Sequence, residues 1–210
     1  TGVTILKNCA IEPEITSLAD FLVSCGAKIS GIGTTTLTIP GGKLLSSNGK
    51  KYKTIPDRIE AGSFLLLGAL LSDNLTVDKC NPSHLESVLN VLNQVGVKTK
   101  IGKDYVKILG VNDKRGNFSE LPPNFNIRTH EYPGFPTDLQ AQVVAFLTQI
   151  PGESVIFETI YDGRFKYVED LKKLGADISI LNSREVKVRG SKKLTAQPMG
   201  QELVAHDIRA

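Results

Sequence analysis

Pro82-Ser83-His84-Leu85-Glu86-Ser87-Val88-Leu89-Asn90-Val91-Leu92-Asn93-Gln94-Val95-Gly96, followed by Val97-Lys98-Thr99-Lys100 and then Tyr105-Val106-Lys107-Ile108-Leu109-Gly110, is the stretch on which the fold turns. Leu85, Val88, Leu89 and Leu92 recur at three- and four-residue steps, the period of a helix with one apolar face. Pro82 suits a first helical turn, and Gly96 suits a left-handed helix end. The two runs that follow read as the alternating strands of a hairpin.

The same plan occurs twice more. Pro13 to Gly26 sets Ile15, Leu18, Ala19, Leu22 and Val23 on one face, then leads into Ala27-Lys28-Ile29-Ser30 and Thr36-Leu37-Thr38-Ile39-Pro40-Gly41. Arg164 to Gly175 carries the shorter stripe Val168, Leu171 and Leu174, then leads into Ala176-Asp177-Ile178-Ser179 and Val186-Lys187-Val188-Arg189-Gly190. The spacing predicts a surface helix and a hairpin each time.

A different helix precedes the second and third copies. Ile59 to Leu71 and Leu139 to Thr148 are apolar nearly all round, as helices enclosed by sheets would be. They open with matching chemistry, Ile55-Pro56-Asp57-Arg58 and Phe135-Pro136-Thr137-Asp138. The unit is therefore buried helix, strand, surface helix, hairpin. The fold class is α+β, built of α/β repeats whose helices are enclosed by sheets. His206-Asp207-Ile208-Arg209 reads as the start of a further buried helix. The chain thus opens midway through one unit and stops as another begins, the pattern of an internal part of a longer protein.

Composition narrows the function classes. A net charge of +3 over 210 residues does not argue for nucleic acid. No apolar run approaches the roughly 20 residues of a membrane span. Cys9, Cys25 and Cys80 are odd in number and lack a CxxC spacing, which fits reduced thiols in the cytoplasm. His84, His130 and His206 lack ligand spacing, so no metal is expected.

Several enclosed helices starting beside one another would gather unpaired N–H groups and positive dipole ends, a setting for an anionic ligand. Arg58, Arg164 and Arg209 would add fork-shaped donors. Asp57, Asp138 and Asp207 read equally as helix N-caps, and Arg58 equally as a structural ion-pair partner. Tyr132-Pro133-Gly134-Phe135-Pro136-Thr137-Asp138 resists that plain reading, because two prolines and a glycine would hold Asp138 rigidly. Glu158-Thr159-Ile160-Tyr161-Asp162-Gly163-Arg164 does the same at the later junction.

These motifs, with Glu12-Pro13-Glu14-Ile15, Gly26-Ala27-Lys28-Ile29-Ser30-Gly31 and Asp207-Ile208-Arg209-Ala210, resemble the enolpyruvyl transferases along essentially the whole chain. The branch they resemble acts on UDP-N-acetylglucosamine in peptidoglycan synthesis. The resemblance implies two domains, residues 1–53 ending one and 54–210 forming most of the other. It implies transfer of the enolpyruvyl group of phosphoenolpyruvate to the sugar 3-hydroxyl, with release of phosphate and without a cofactor. Asp138 matches the general base, Ile160 a contact to the sugar nucleotide, and Arg164, Arg209 and Asp207 positions that organise charged reactants. Arg58 and Glu12 match cleft-lining positions. The implied partners are the two small substrates and the rest of the same polypeptide, with no nucleic acid and no membrane.

The departures are specific. The family's acid–base cysteine and phosphoenolpyruvate-gripping arginines have no counterpart within residues 1–210, so this stretch alone is expected to be inactive. Asp162-Gly163 stands where the family more often has Glu-Asn. The alternatives are a shikimate-pathway enolpyruvyl transferase and a non-catalytic relative that keeps the repeat.

Overall fold

The computed structural model describes residues 2–71, 74–111, 118, 121–122, 125–190, 194–195 and 202–204. The chain divides into two compact units: Thr1–Pro56 with Glu131–Pro133, and Asp57–His130 with Gly134–Ala210.

In the smaller unit, β1 (Val3–Lys7) runs antiparallel to β2 (Thr36–Pro40), with α1 (Pro13–Ser24) between them in sequence. Gly26, at φ +104°, ends the helix as expected. The strand expected at 27–30 shrinks to a single bridge between Ser30 and Thr38. Gly31, at φ +81°, turns the chain at once, so tightly that a Cβ there would meet the Thr36 carbonyl. The face expected of α1 is also corrected. Of its five apolar residues only Ala19 is buried, while Ile15, Leu18 and Val23 are exposed. The helix instead beds on Pro13 and Ser17. The Tyr52 hydroxyl donates to the Ser17 carbonyl at 2.9 Å, and Phe21 meets the Tyr52 ring edge-on at 5.3 Å.

The larger unit holds two copies of the repeat. The first is α2 (Arg58–Leu71), β3 (Thr76–Asp78), α3 (Glu86–Gln94), β4 (Val97–Ile101) and β5 (Tyr105–Val111). The second is α4 (Gln140–Leu147), β7 (Gly152–Phe157), α5 (Val168–Lys173), β8 (Asp177–Asn182) and β9 (Glu185–Gly190), preceded by β6 (Phe125–Arg128). The sheets run β3-β5-β4 and β6-β7-β9-β8; β6 is parallel to β7 and all other pairs are antiparallel. In both, the strand after the enclosed helix pairs with the second hairpin strand, and that pairs with the first. β1, β2 and Ser30 repeat this order in reduced form.

The core forms between α2, α3, α4 and the two sheets. Leu65 and Leu66 of α2, Leu92 of α3, and Val143, Val144 and Leu147 of α4 are almost wholly buried, each worth roughly 1.5–3 kcal/mol as an upper estimate. The short α5 starts later than expected, at Val168, because residues 164–167 form turns. The enclosure expected of α2 is incomplete: Phe64, Leu67 and Leu71 lie along one face at 49%, 47% and 76% exposure. Gly62, in the second turn of α2, sits where a Cβ would lie 2.6 Å from Leu139 Cδ1. The opening turns of α2 and α4 therefore lie side by side. Among the described residues no helix is long and apolar enough to cross a membrane.

Candidate functional site

The carboxyl ends of the parallel pair β6 and β7 deliver Thr129 and Glu158 to one place. Strand ends of this kind, followed by helix starts, are where sites in α/β sheets commonly form. The Thr129 N–H donates to the Phe157 carbonyl at 2.9 Å, extending the ladder one step beyond β6. Pro136 then sets an extended backbone ahead of a tight turn, Thr137–Leu139, that opens α4. Leu139 N–H donates to the Pro136 carbonyl at 3.0 Å, so the backbone closes this turn without a capping side chain.

That leaves the Thr137 and Asp138 side chains to point elsewhere. Asp138 does not cap its helix. Arg164 holds it, with Nη1 and Nη2 each donating to Oδ1 at 3.2 Å. Arg164 Nη1 also donates to Thr137 Oγ1 at 2.8 Å, and its guanidinium lies 5.2 Å from the Tyr161 ring centre. The Arg164 side chain is 16% exposed and that of Asp138 is 40%, so a largely buried guanidinium braces a partly exposed carboxylate.

Behind this pair lies Glu158, 1% exposed. Its Oε1 accepts from Thr129 Oγ1 at 2.9 Å, Ile160 N–H at 2.8 Å and Tyr161 N–H at 3.1 Å. Its Oε2 accepts from Thr137 Oγ1 and Gln140 Nε2, both at 2.8 Å. Gln140 is fixed in turn by the Tyr167 hydroxyl, which donates to its Oε1 at 2.8 Å. The loop bearing Arg164 is pinned to the β8–β9 turn, with Gly163 N–H on the Ser183 carbonyl at 2.9 Å and Arg184 Nη1 on the Thr159 carbonyl at 3.1 Å. Asp162, at the position where the family pattern differs, makes a surface ion pair with Arg184 at 3.3 Å.

Of the sequence-derived candidates, the structure brings together Asp138, Arg164 and Ile160. Arg58, half-buried, is the first residue of α2. Glu12 precedes α1 in the other compact unit, and its Oε2 is buried with no hydrogen-bond partner among the described residues. Asp207 and Arg209, with the helix start expected at His206, lie outside the described residues. The N-cap reading holds for Asp57, whose Oδ1 accepts from Ile59 and Glu60 N–H at 2.8 and 3.0 Å. Cys80 is buried, and that burial pushes its thiol up, the reverse of nucleophile activation. Sequence reasoning gave no role to Glu158, Thr137, Thr129 or Gln140. The available signal was an acid directly after the apolar run Val155-Ile156-Phe157, where a charge is buried only if fully bonded.

The EPSP synthase (3-phosphoshikimate 1-carboxyvinyltransferase) family model matches residues 1–210. A UDP-N-acetylglucosamine 1-carboxyvinyltransferase of Koribacter versatilis is 45% identical over 209 residues, 100% of this chain and 45% of that protein. UDP-N-acetylglucosamine 1-carboxyvinyltransferase 2 of Caldanaerobacter subterraneus is 43% identical over 208 residues, 99% of this chain and 46% of that protein. The chain thus spans just under half the length of these relatives. Among solved structures, the enolpyruvyl transferase NikO of Streptomyces tendae superposes with a TM-score of 0.74 at 22% identity, covering 90% of this chain and 43% of that one, which speaks for the fold alone. With its family model matched from end to end, this chain belongs to the EPSP synthase family.

Proposed function

We propose that the polypeptide carrying this chain transfers the enolpyruvyl group of phosphoenolpyruvate to the 3-hydroxyl of UDP-N-acetylglucosamine, the first committed step of peptidoglycan synthesis in the cytoplasm. The sugar hydroxyl gives up its proton, its oxygen bonds to the enolpyruvyl carbon, and the bond from that carbon to the phosphate oxygen breaks. A carboxylate within hydrogen-bond reach of the hydroxyl is what the proton transfer requires. The observation that carries the reading is Asp138, 40% exposed and braced by Arg164 at 3.2 Å. The named activity of relatives at 45% and 43% identity favours the sugar nucleotide over a phosphorylated shikimate acceptor.

In this reading Asp138 is the base, and Ile160 lies beside the sugar nucleotide. Arg164 organises the charged reactants together with Arg209 and Asp207. Arg58 and Glu12 line the cleft. Residues 1–53 close one domain and 54–210 make most of the second, while the loop that bears the family's acid–base residue belongs to the rest of the polypeptide. No metal, cofactor, nucleic acid or membrane takes part.

The test is phosphate release by the full-length protein, with UDP-N-acetylglucosamine or shikimate 3-phosphate as acceptor. Release is expected with the first alone; release with shikimate 3-phosphate alone would overturn the assignment. Residues 1–210 by themselves are expected to release none.

A further inference from the structure

We propose that Glu158 is a positioning residue for the reaction, acting through the single hydroxyl proton of Thr137 to aim Arg164 at Asp138. The inference rests on Asp138 serving as the base proposed above.

Glu158 accepts five hydrogen bonds and is almost wholly buried. An ionised carboxylate offers about four lone-pair sites, so every acceptor position of this one is taken. What separates it from a structural acid is the direction imposed on Thr137. A threonine hydroxyl has one proton and two lone pairs. Glu158 Oε2 takes that proton at 2.8 Å, which turns the lone pairs toward Arg164 Nη1, also at 2.8 Å. The same guanidinium then reaches Asp138 Oδ1 with both terminal nitrogens. Glu158, Thr137, Arg164 and Asp138 thus form one chain in which every donor faces an acceptor. Chains of this kind couple more strongly than their separate links suggest.

The two oxygens of Glu158 have different duties, which makes a sharp substitution available. Oε1 faces the Ile160 and Tyr161 backbone N–H groups, and these cannot reverse their polarity. In Glu158→Gln the amide oxygen must therefore stay on that side, so the NH₂ group turns toward Thr137 and Gln140. Thr137 must then accept there, so its proton leaves the carboxylate that fixed it and swings to another position about Oγ1, and the hydroxyl no longer has one imposed direction toward Arg164. The loop bearing Ile160 stays held while the aim of Arg164 is lost.

The test uses the full-length protein. Glu158→Gln and Thr137→Val are each expected to lower kcat by about 10- to 100-fold, as an ångström-scale misplacement of a reacting group does. KM for UDP-N-acetylglucosamine should stay within about threefold, because Ile160 keeps its place. The double variant should fall no more than about twofold below the worse single one, since both cut the same chain. Thr137→Ser keeps the hydroxyl and should restore most of the kcat lost in Thr137→Val. The proposal is overturned by a folded Glu158→Gln protein with kcat within about twofold of the original, by losses that multiply, or by a rise in KM at unchanged kcat. If Glu158→Gln does not fold, the valine and serine variants at 137 decide alone. If the unaltered protein releases no phosphate, the functional reading falls separately. A crystal structure of Thr137→Val then judges positioning: Arg164 displaced from Asp138 supports it, and an undisturbed pair refutes it.

Discussion

The starts of α2 and α4 are the same sentence written twice and used in two ways. Both begin with a bulky apolar residue and a proline, followed by polar residues, and both open a helix in the larger unit. Matched on the proline, Asp57 corresponds to Thr137 and Arg58 to Asp138. Asp57 turns inward and satisfies two N–H groups of its own helix. Thr137 and Asp138 turn outward, to a buried acid and a guanidinium. A β-strand, β6, leads to the second junction in parallel with β7, and that pairing delivers Thr129 and Glu158 beside it. A junction becomes a site when its polar groups are released from local capping and a second segment arrives to engage them.

The sharpest way to break this contrast is to remove each carboxylate's charge or cap in the full-length protein. Asp138→Asn is expected to lower kcat by about 10²- to 10⁴-fold, the usual worth of a general base, with thermal unfolding little changed. Phosphate-release kinetics within tenfold of the original would dissolve the distinction between the junctions. Next in size, Arg164→Lys keeps the charge but not the fork, so one ammonium cannot serve Thr137 and Asp138 as the guanidinium does. A kcat loss of about 10- to 100-fold is expected, and full activity would mean that charge alone suffices. The smallest effect belongs to the other junction. Asp57→Ala should cost about 1 kcal/mol of stability, or about 2–4 °C in Tm, with kcat unchanged within about twofold. Calorimetry showing no loss would mean that the two N–H groups find water equally well.

The repeat was legible because periodicity reports it directly. Leu85, in the turn that opens α3, and Val88 and Leu92 of α3 face the core as their spacing requires, and Gly96 and Gly175 end their helices with positive φ. The first copy was less legible: the same apolar spacing occurs in α1, yet Ile15, Leu18 and Val23 face solvent. Periodicity states which residues share a face, and the neighbouring elements determine whether that face is covered. Phe64, Leu67 and Leu71 teach the same lesson on α2.

The candidate site divides along similar lines. Asp138 and Arg164 stood out because their flanking prolines and glycines signal a constrained backbone. Glu158 did not, since a strand-end glutamate is unremarkable until the donors gathered around it are seen. Those donors come from three separate stretches, Thr129, the turn bearing Thr137 and Gln140, and the 160–161 backbone, and no local pattern in the chain records that meeting.

The missing side chain at position 62 lets α2 lie directly against the turn that carries Asp138. Because α2 touches Leu139 there with no spacer, the neighbour of Asp138 cannot shift toward α2 without collision. Adding even one methyl at Gly62 must displace the end of the Leu139 side chain, the residue next to Asp138. The back of the turn that carries the carboxylate is thus fixed against α2 by volume and not by charge.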